Sequence, residues 1–70
     1  MGKKQAGLYA ALVWLALHPD STADEVARGI EFADSWRVFE WLCRAEDEKM
    51  VRGYHKDGEM AIYWNVRNQE

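Results

Sequence analysis

Cysteine is almost missing from this sequence: Cys43 is the only one in 70 residues. No intrachain disulfide can staple the fold, no cysteine cluster can hold a metal, and a reducing, cytoplasmic setting is the expectation. A surplus of positive charge is missing as well, since nine Lys and Arg stand against twelve Asp and Glu, a net charge of −3. The chain as a whole therefore has no bulk attraction to nucleic acid or to an anionic membrane. Histidine is scarce, with His18 and His55 far apart, and neither a glycine-rich phosphate loop nor a metal-ligand spacing occurs. Glu46-Asp47-Glu48 is a carboxylate run, but neighbouring residues on a helix splay around its axis and do not converge on a reacting atom. No enzymatic activity, cofactor or metal site is expected.

Long apolar runs are lacking too. Ala6 to Leu17 carries no charge, but twelve residues are too few to span a bilayer. With Met1-Gly2-Lys3-Lys4 in front, this run has the outline of a secretory leader. Cleavage near Ser21-Thr22-Ala23 would leave fewer than fifty residues with no disulfide to hold them. The segment is therefore read as a helix of the fold, with no leader expected. Ala6 breaks the N-myristoylation pattern.

What is present is ample apolar and aromatic material: 49% hydrophobic residues, with four Trp, three Tyr and two Phe. One small domain over residues 1–70 is expected, with more apolar surface than a core of that size readily hides. Lys3 to His18 reads as a first helix, closed by Pro19, which disfavours helical geometry in the residue before it. Leu8, Ala11, Leu12 and Leu15 form its core stripe, while Tyr9, Val13, Trp14 and Leu17 cover much of the rest. That leaves two outcomes: a core helix with some wet apolar residues, or a dimer or partner face through Tyr9, Val13 and Trp14.

Asp20-Ser21-Thr22 reads as a short connector, and Thr22-Ala23-Asp24-Glu25 fits a capping box opening a helix over 23–30. Val26, Ala27 and Ile30 face inward. Gly29 and Glu31-Phe32-Ala33 then make a turn with Phe32 as its apolar plug. Asp34 or Ser35 caps a third helix over 34–49. In it Val38, Trp41, Leu42 and Ala45 recur at i, i+3, i+4, i+7 on one stripe, with Arg37, Glu40, Arg44 and Asp47 opposite and Trp36 at the edge. Strand-like runs at 50–55 and 60–66 flank Lys56-Asp57-Gly58-Glu59, a hairpin signal. Ile62, Trp64 and Val66 alternate with Ala61, Tyr63 and Asn65, so one face of the hairpin can close the core. Gly53 marks a bulge or a close approach. The expected fold is α+β, a winged helix-turn-helix of three helices followed by a two-stranded β-hairpin wing.

The stretch from Thr22 to Val66 resembles the winged-helix superfamily, and within it is similar to the small pilus-operon switch proteins, the Pap and Fae regulators. The residues that carry the resemblance are Thr22-Ala23, Val26-Ala27, Asp34, Met50-Val51 and above all Met60-Ala61-x-Tyr63-Trp64. The resemblance implies a single winged-helix domain that controls transcription, partly by acting on a partner regulator bound to DNA, in a bacterial or mobile-element setting. The chain departs from that pattern by one additional residue in the turn or third helix, and by the acidity of that helix.

On this fold the third helix enters the major groove of double-stranded DNA. Arg37 is the candidate for a bidentate contact to guanine, and Arg44 lies two turns further along the same face. Ser35 and the helix N-terminus could hold a phosphate. The wing tip brings His55 and Lys56 toward backbone or minor groove, and Lys3, Lys4, Arg52 and Arg67 are further phosphate candidates. Against strong binding, five acids (Asp34, Glu40, Glu46, Asp47, Glu48) outnumber three bases (Arg37, Arg44, Lys49) over 34–49. Glu40 also precedes Arg44 by four residues, the favoured ion-pair order, which would occupy that arginine. Weak binding by the lone chain is expected, assisted by a homodimer or a partner regulator. The competing class is a protein-binding adaptor or inhibitor that meets its partner through Trp36 and Phe39, or through the first helix, without touching DNA. The bland counterpart is Trp36 folded over the helical corner and Phe39 packed under the wing. No membrane partner is expected.

Overall fold

Side-chain caps fix where the two central helices begin. In the computed structural model, which describes residues 3–31 and 33–67, with side chains from Gly7 onward, α1 spans Lys3–Leu17, β1 Ser21–Thr22 and α2 Ala23–Ile30. The chain continues through α3 (Ser35–Asp47), β2 (Val51–His55) and β3 (Ile62–Val66). The expected capping box is formed: the Glu25 amide donates to Thr22 Oγ1 at 3.2 Å, and the Thr22 amide donates to Glu25 Oε1 at 2.9 Å. Of the two candidate caps for α3, Asp34 serves, its Oδ1 accepting from the Arg37 amide at 2.8 Å. Each such cap satisfies amides that the helix leaves unpaired and contributes about 1 kcal/mol.

The helix ends are equally local. Before Pro19, the His18 amide still donates to Trp14 O at 3.0 Å, and the helix stops at Leu17. Glu31 (φ 68°) and Lys49 (φ 62°) adopt left-handed geometry after α2 and α3. At Lys49 this turns the chain toward β2, so α3 ends at Asp47 and not at residue 49. Phe32, the expected apolar plug of the turn, lies outside the described residues.

The sheet has three strands in the order β1-β3-β2, all antiparallel. The connector expected at residues 20–22 is thus partly a strand, pairing Ser21 with Trp64 and Thr22 with Tyr63. Asp20 (φ 61°) redirects the chain after Pro19, and its amide donates to Asn65 Oδ1 at 2.8 Å, which lays the next two residues alongside β3. An N-cap residue has extended dihedrals, so Thr22 (φ −82°, ψ 164°) can finish a strand and open α2 at once. The hairpin ladder runs from Val51↔Val66 to His55↔Ile62 without interruption, so Gly53 marks no bulge. It marks a close approach: a Cβ there would lie 2.8 Å from Trp64 Cζ3. Residues 56–61 connect the strands, with the Glu59 amide donating to Lys56 O at 3.0 Å and Gly58 at φ 78°. Positive φ at the second central residue alone is the pattern of a type II turn.

The helices and the inner sheet face meet in a core of Ala11, Leu15, Val26, Ala27, Val38, Leu42, Ala45, Val51 and Trp64. Burying a Val or Leu side chain is worth about 1.5–3 kcal/mol, so this stripe-to-stripe packing holds the elements together. Trp41, expected on the core stripe, sits half-buried at its margin, its ring against Gly7 of α1. The indole N–H of Trp64 is sealed in the core without an acceptor among the described residues. No described helix is long and apolar enough to cross a membrane. Three helices, with a β-hairpin projecting after the third and a short strand closing the sheet, make a winged helix-turn-helix.

Candidate nucleic-acid interface

Because Val38, Leu42 and Ala45 are fully buried, the opposite stripe of α3 is forced outward. Arg37, Glu40 and Arg44 are all exposed on it, as the spacing predicts. The expected Glu40–Arg44 pairing is not made among the described residues; the ion pair present is Arg28–Asp24 on α2, at 3.2 Å. An exposed i,i+4 pair gains a few tenths of a kcal/mol at most, so spacing alone does not decide whether it forms. One of the acids counted against binding is also engaged elsewhere. Glu46 Oε2 accepts from the Gly53 amide at 3.0 Å, which ties the end of α3 to the margin of β2.

The start of α3 does not fit the phosphate expected there. The Asp34 carboxylate already takes the Arg37 amide, and its charge opposes a second anion at the same helix end. Ser35 is half-buried and instead lines a groove of about 340 Å³ with Ala23, Trp36 and Phe39. Phe39 is likewise not a free partner residue: its ring stands edge-on to Trp64, with centroids 6.1 Å apart, and anchors this corner to the core. Trp36 stacks on Phe39 at the same centroid spacing, 6.1 Å, yet remains 69% exposed.

On the wing, His55 and Lys56 are exposed at the end of β2 and the start of the turn. Lys56 is oriented by an aromatic face, its Nζ lying 4.2 Å from the Tyr63 ring centroid. The Tyr63 hydroxyl donates to Glu59, which raises its pKa above the ordinary 10.0. Beside it, across the ladder, the Tyr54 hydroxyl donates to the Asp20 carboxylate, and Asn65 Nδ2 donates to the same oxygen at 2.7 Å. These two donors hold the Asp20 carboxyl below its ordinary 3.8, and the Tyr54 phenol is pushed up by the same hydrogen bond. This polar cluster ties the turn after α1 to the outer face of the wing. Sequence reasoning missed it. Alternation marks Tyr63 and Asn65 as outward-facing, but Asp20 is brought to them only by the pairing of β1 with β3.

The remaining candidates divide. Tyr9 and Val13 are exposed on α1, whereas Trp14 is turned inward, its indole against Gly29 and stacked on His18 with centroids 4.1 Å apart. Arg67 is exposed beside Lys49 and Met50 in a groove along α1. Arg52 is exposed on β2, and the side chains of Lys3 and Lys4 lie outside the described residues. No cluster of three or more His, Cys, Asp or Glu could hold a metal ion among the described residues. The Cys43 thiol is pushed up by burial, and further by Glu46 and Asp47, which makes it a poor nucleophile.

This arrangement, an outward arginine-bearing helix followed by a β-hairpin whose turn begins at Lys56, defines the fold as winged helix-turn-helix. Among solved structures the chain is similar to the crystal structure of the apo-Zalpha of zebrafish PKZ, with a TM-score of 0.84 over 94% of this chain and 98% of that one. At 15% sequence identity, the likeness extends to the fold alone. No protein-family model and no curated protein sequence matches the chain. None of these comparisons points to the pilus-operon regulators.

Proposed function

We propose that this chain is a nucleic-acid-binding winged helix that regulates transcription from double-stranded DNA, weakly when alone. The observation that carries the reading is the outward stripe of α3, where Arg37 and Arg44 are both exposed with no carboxylate partner among the described residues. Seven residues of helix place them about 10 Å apart along its axis, near the rise of three base pairs. Arg37, closer to the N-terminal end that enters the groove first, suits a guanine edge. Lys56, steadied over Tyr63, suits a backbone phosphate beside it. The net charge of −3 leaves little non-specific attraction to assist them. No catalytic chemistry enters this reading.

Gel retardation of a random duplex at low and moderate salt tests it. Retardation is expected at about 50 mM salt and should fade by about 200 mM; the Arg37→Ala/Lys56→Ala variant should flatten the salt slope by about one, the Lys56 phosphate contact, and weaken binding further through the lost Arg37 base contact. A complete lack of retardation at low salt overturns the proposal. The exposure of Trp36, at 69%, supports a second reading in which α3 meets a protein partner. Loss of a captured protein on Trp36→Ala, with no DNA shift, would favour that alternative.

A further inference from the structure

Among the described residues, Trp36 is the one large apolar side chain that stands exposed on α3. Its direction follows from the helix. Val38 is sealed in the core, and two residues earlier the helix is turned by about 200°, which carries the indole to the opposite side. Glu40 and Arg44 follow at i+4 and i+8, so Trp36 heads the same outward row, with Arg37 beside it. The ring is also held in place. Trp36 stacks on Phe39 with an interplanar angle of 26°, and Phe39 stands edge-on to the buried Trp64. Three rings in series root an exposed indole in the core and fix its orientation before anything binds. A contact set in advance loses less side-chain freedom on binding.

We propose that Trp36 reads thymine, its ring meeting the C5-methyl of a thymine in the base pair next to the guanine that Arg37 takes. This rests on the reading of α3 as a DNA-binding helix. Trp36 is the second residue of α3, and the N-terminal residues of such a helix are those that reach base edges. Only about 1.5 Å of helix rise separates it from Arg37, so the arginine cannot enter the groove without the indole. Base edges in the major groove offer hydrogen-bond donors and acceptors, and the one apolar group among them is the thymine methyl. The indole carries no charge for a phosphate, and its carbon face cannot pair with guanine N7 or O6. That leaves the methyl as its complement. Glu40, between Trp36 and Arg44 on the row, is compatible with this placement, because a carboxylate in the groove accepts from the cytosine amino group.

Gel retardation at about 50 mM salt on two duplexes tests the proposal. One pairs an alternating thymine–guanine strand with its adenine–cytosine complement, so that thymine and guanine adjoin at every step. The other carries uracil in place of each thymine, which deletes the methyl and keeps charge and pairing. The chain should bind the thymine duplex about four-fold more tightly, the worth of one methyl group removed from water. Trp36→Ala should weaken binding to the thymine duplex and bring the ratio to one, whereas Trp36→Phe should keep part of it. Lys56→Ala should weaken both duplexes alike and leave the ratio unchanged. A Trp36 with a merely structural role would not move the ratio.

Equal binding of the two duplexes by the unaltered chain overturns the inference and leaves the DNA reading standing. A ratio that survives Trp36→Ala overturns it as well, since the methyl would then act through the duplex itself. Retardation of neither duplex overturns the DNA reading, and the inference falls with it.

Discussion

The indole of Trp14 lies so close to Gly29 that any Cβ added there would overlap its Cε2 and Nε1 atoms. The approach of α1 to α2 thus uses a missing side chain, and Trp41 over Gly7 repeats the device between α3 and α1. Two effects oppose each other in Gly29→Ala. Helix propensity favours Ala by about 1 kcal/mol, whereas overfilling a packed site costs about 1–3 kcal/mol. Packing should win, giving a net loss of up to about 2 kcal/mol in urea unfolding and a red shift of Trp emission as the ring is displaced. A more stable variant would show that the indole swings aside freely.

Asp34 and Thr22 each cap a separate helix through a hydrogen bond to an amide three residues on. Asp34→Ala and Thr22→Ala should each lower unfolding free energy by about 1 kcal/mol. Asp34→Ser should restore most of the first loss, since a hydroxyl caps nearly as well. Chemical denaturation of the three variants is the measurement, and a silent Asp34→Ala would remove Asp34 from its assigned role.

Stability should fall at both ends of the pH scale through one cluster. Folding lowers the Asp20 pKa, mainly through the hydrogen bond from Tyr54 and then that from Asn65. That contribution is present above the unfolded value of 3.8 and is lost as pH falls through the folded one. Folding raises the Tyr54 and Tyr63 pKa values, mainly because their hydroxyls donate to Asp20 and Glu59. Those contributions are present below 10.0 and are lost as pH rises through the folded values. Thermal melts should therefore be flat from about pH 5 to pH 9 and decline on either side. Tyr54→Phe should soften both limbs, and Tyr63→Phe the alkaline one alone. Because these groups face solvent, the changes should be small.

Tyr63 positions Lys56 without supplying charge, so the two residues should be separable in DNA binding. Lys56→Ala should flatten the salt dependence by about one phosphate contact. Tyr63→Leu should keep the slope and weaken binding by about two- to five-fold, the loss of one exposed cation–π contact. Equal slopes in both variants would place Lys56 away from the phosphates.

Periodicity carried the reading of α3: Val38, Leu42 and Ala45 share a face because their spacing allows nothing else, and Arg37 and Arg44 follow by exclusion. The capping box at Thr22 was legible for a similar reason, since both partners lie within four residues. Long-range partners were not. Strand β1 exists because Ser21 meets Trp64, and the Asp20 cluster depends on the same pairing. Local spacing also overstated one feature, the Glu40–Arg44 pair, because an exposed pair gains too little for spacing to decide it; Asp24–Arg28, at the same spacing, is formed. Trp14 shows the opposite error. One of the two outcomes left open for α1 placed it on a partner face, but the absent side chain of Gly29 gave it a place to lie.

The Glu46 carboxylate at the Gly53 amide bears on how these molecules behave when crowded. A bare outer strand is a template on which further chains can grow in register, and β2 is one margin of this sheet. Its middle is plugged by a fixed anion, and the opposite margin is a strand only two residues long. Indefinite edge-to-edge polymerisation is thereby denied a starting point, and replacing that one acid is where fibril growth would first become possible.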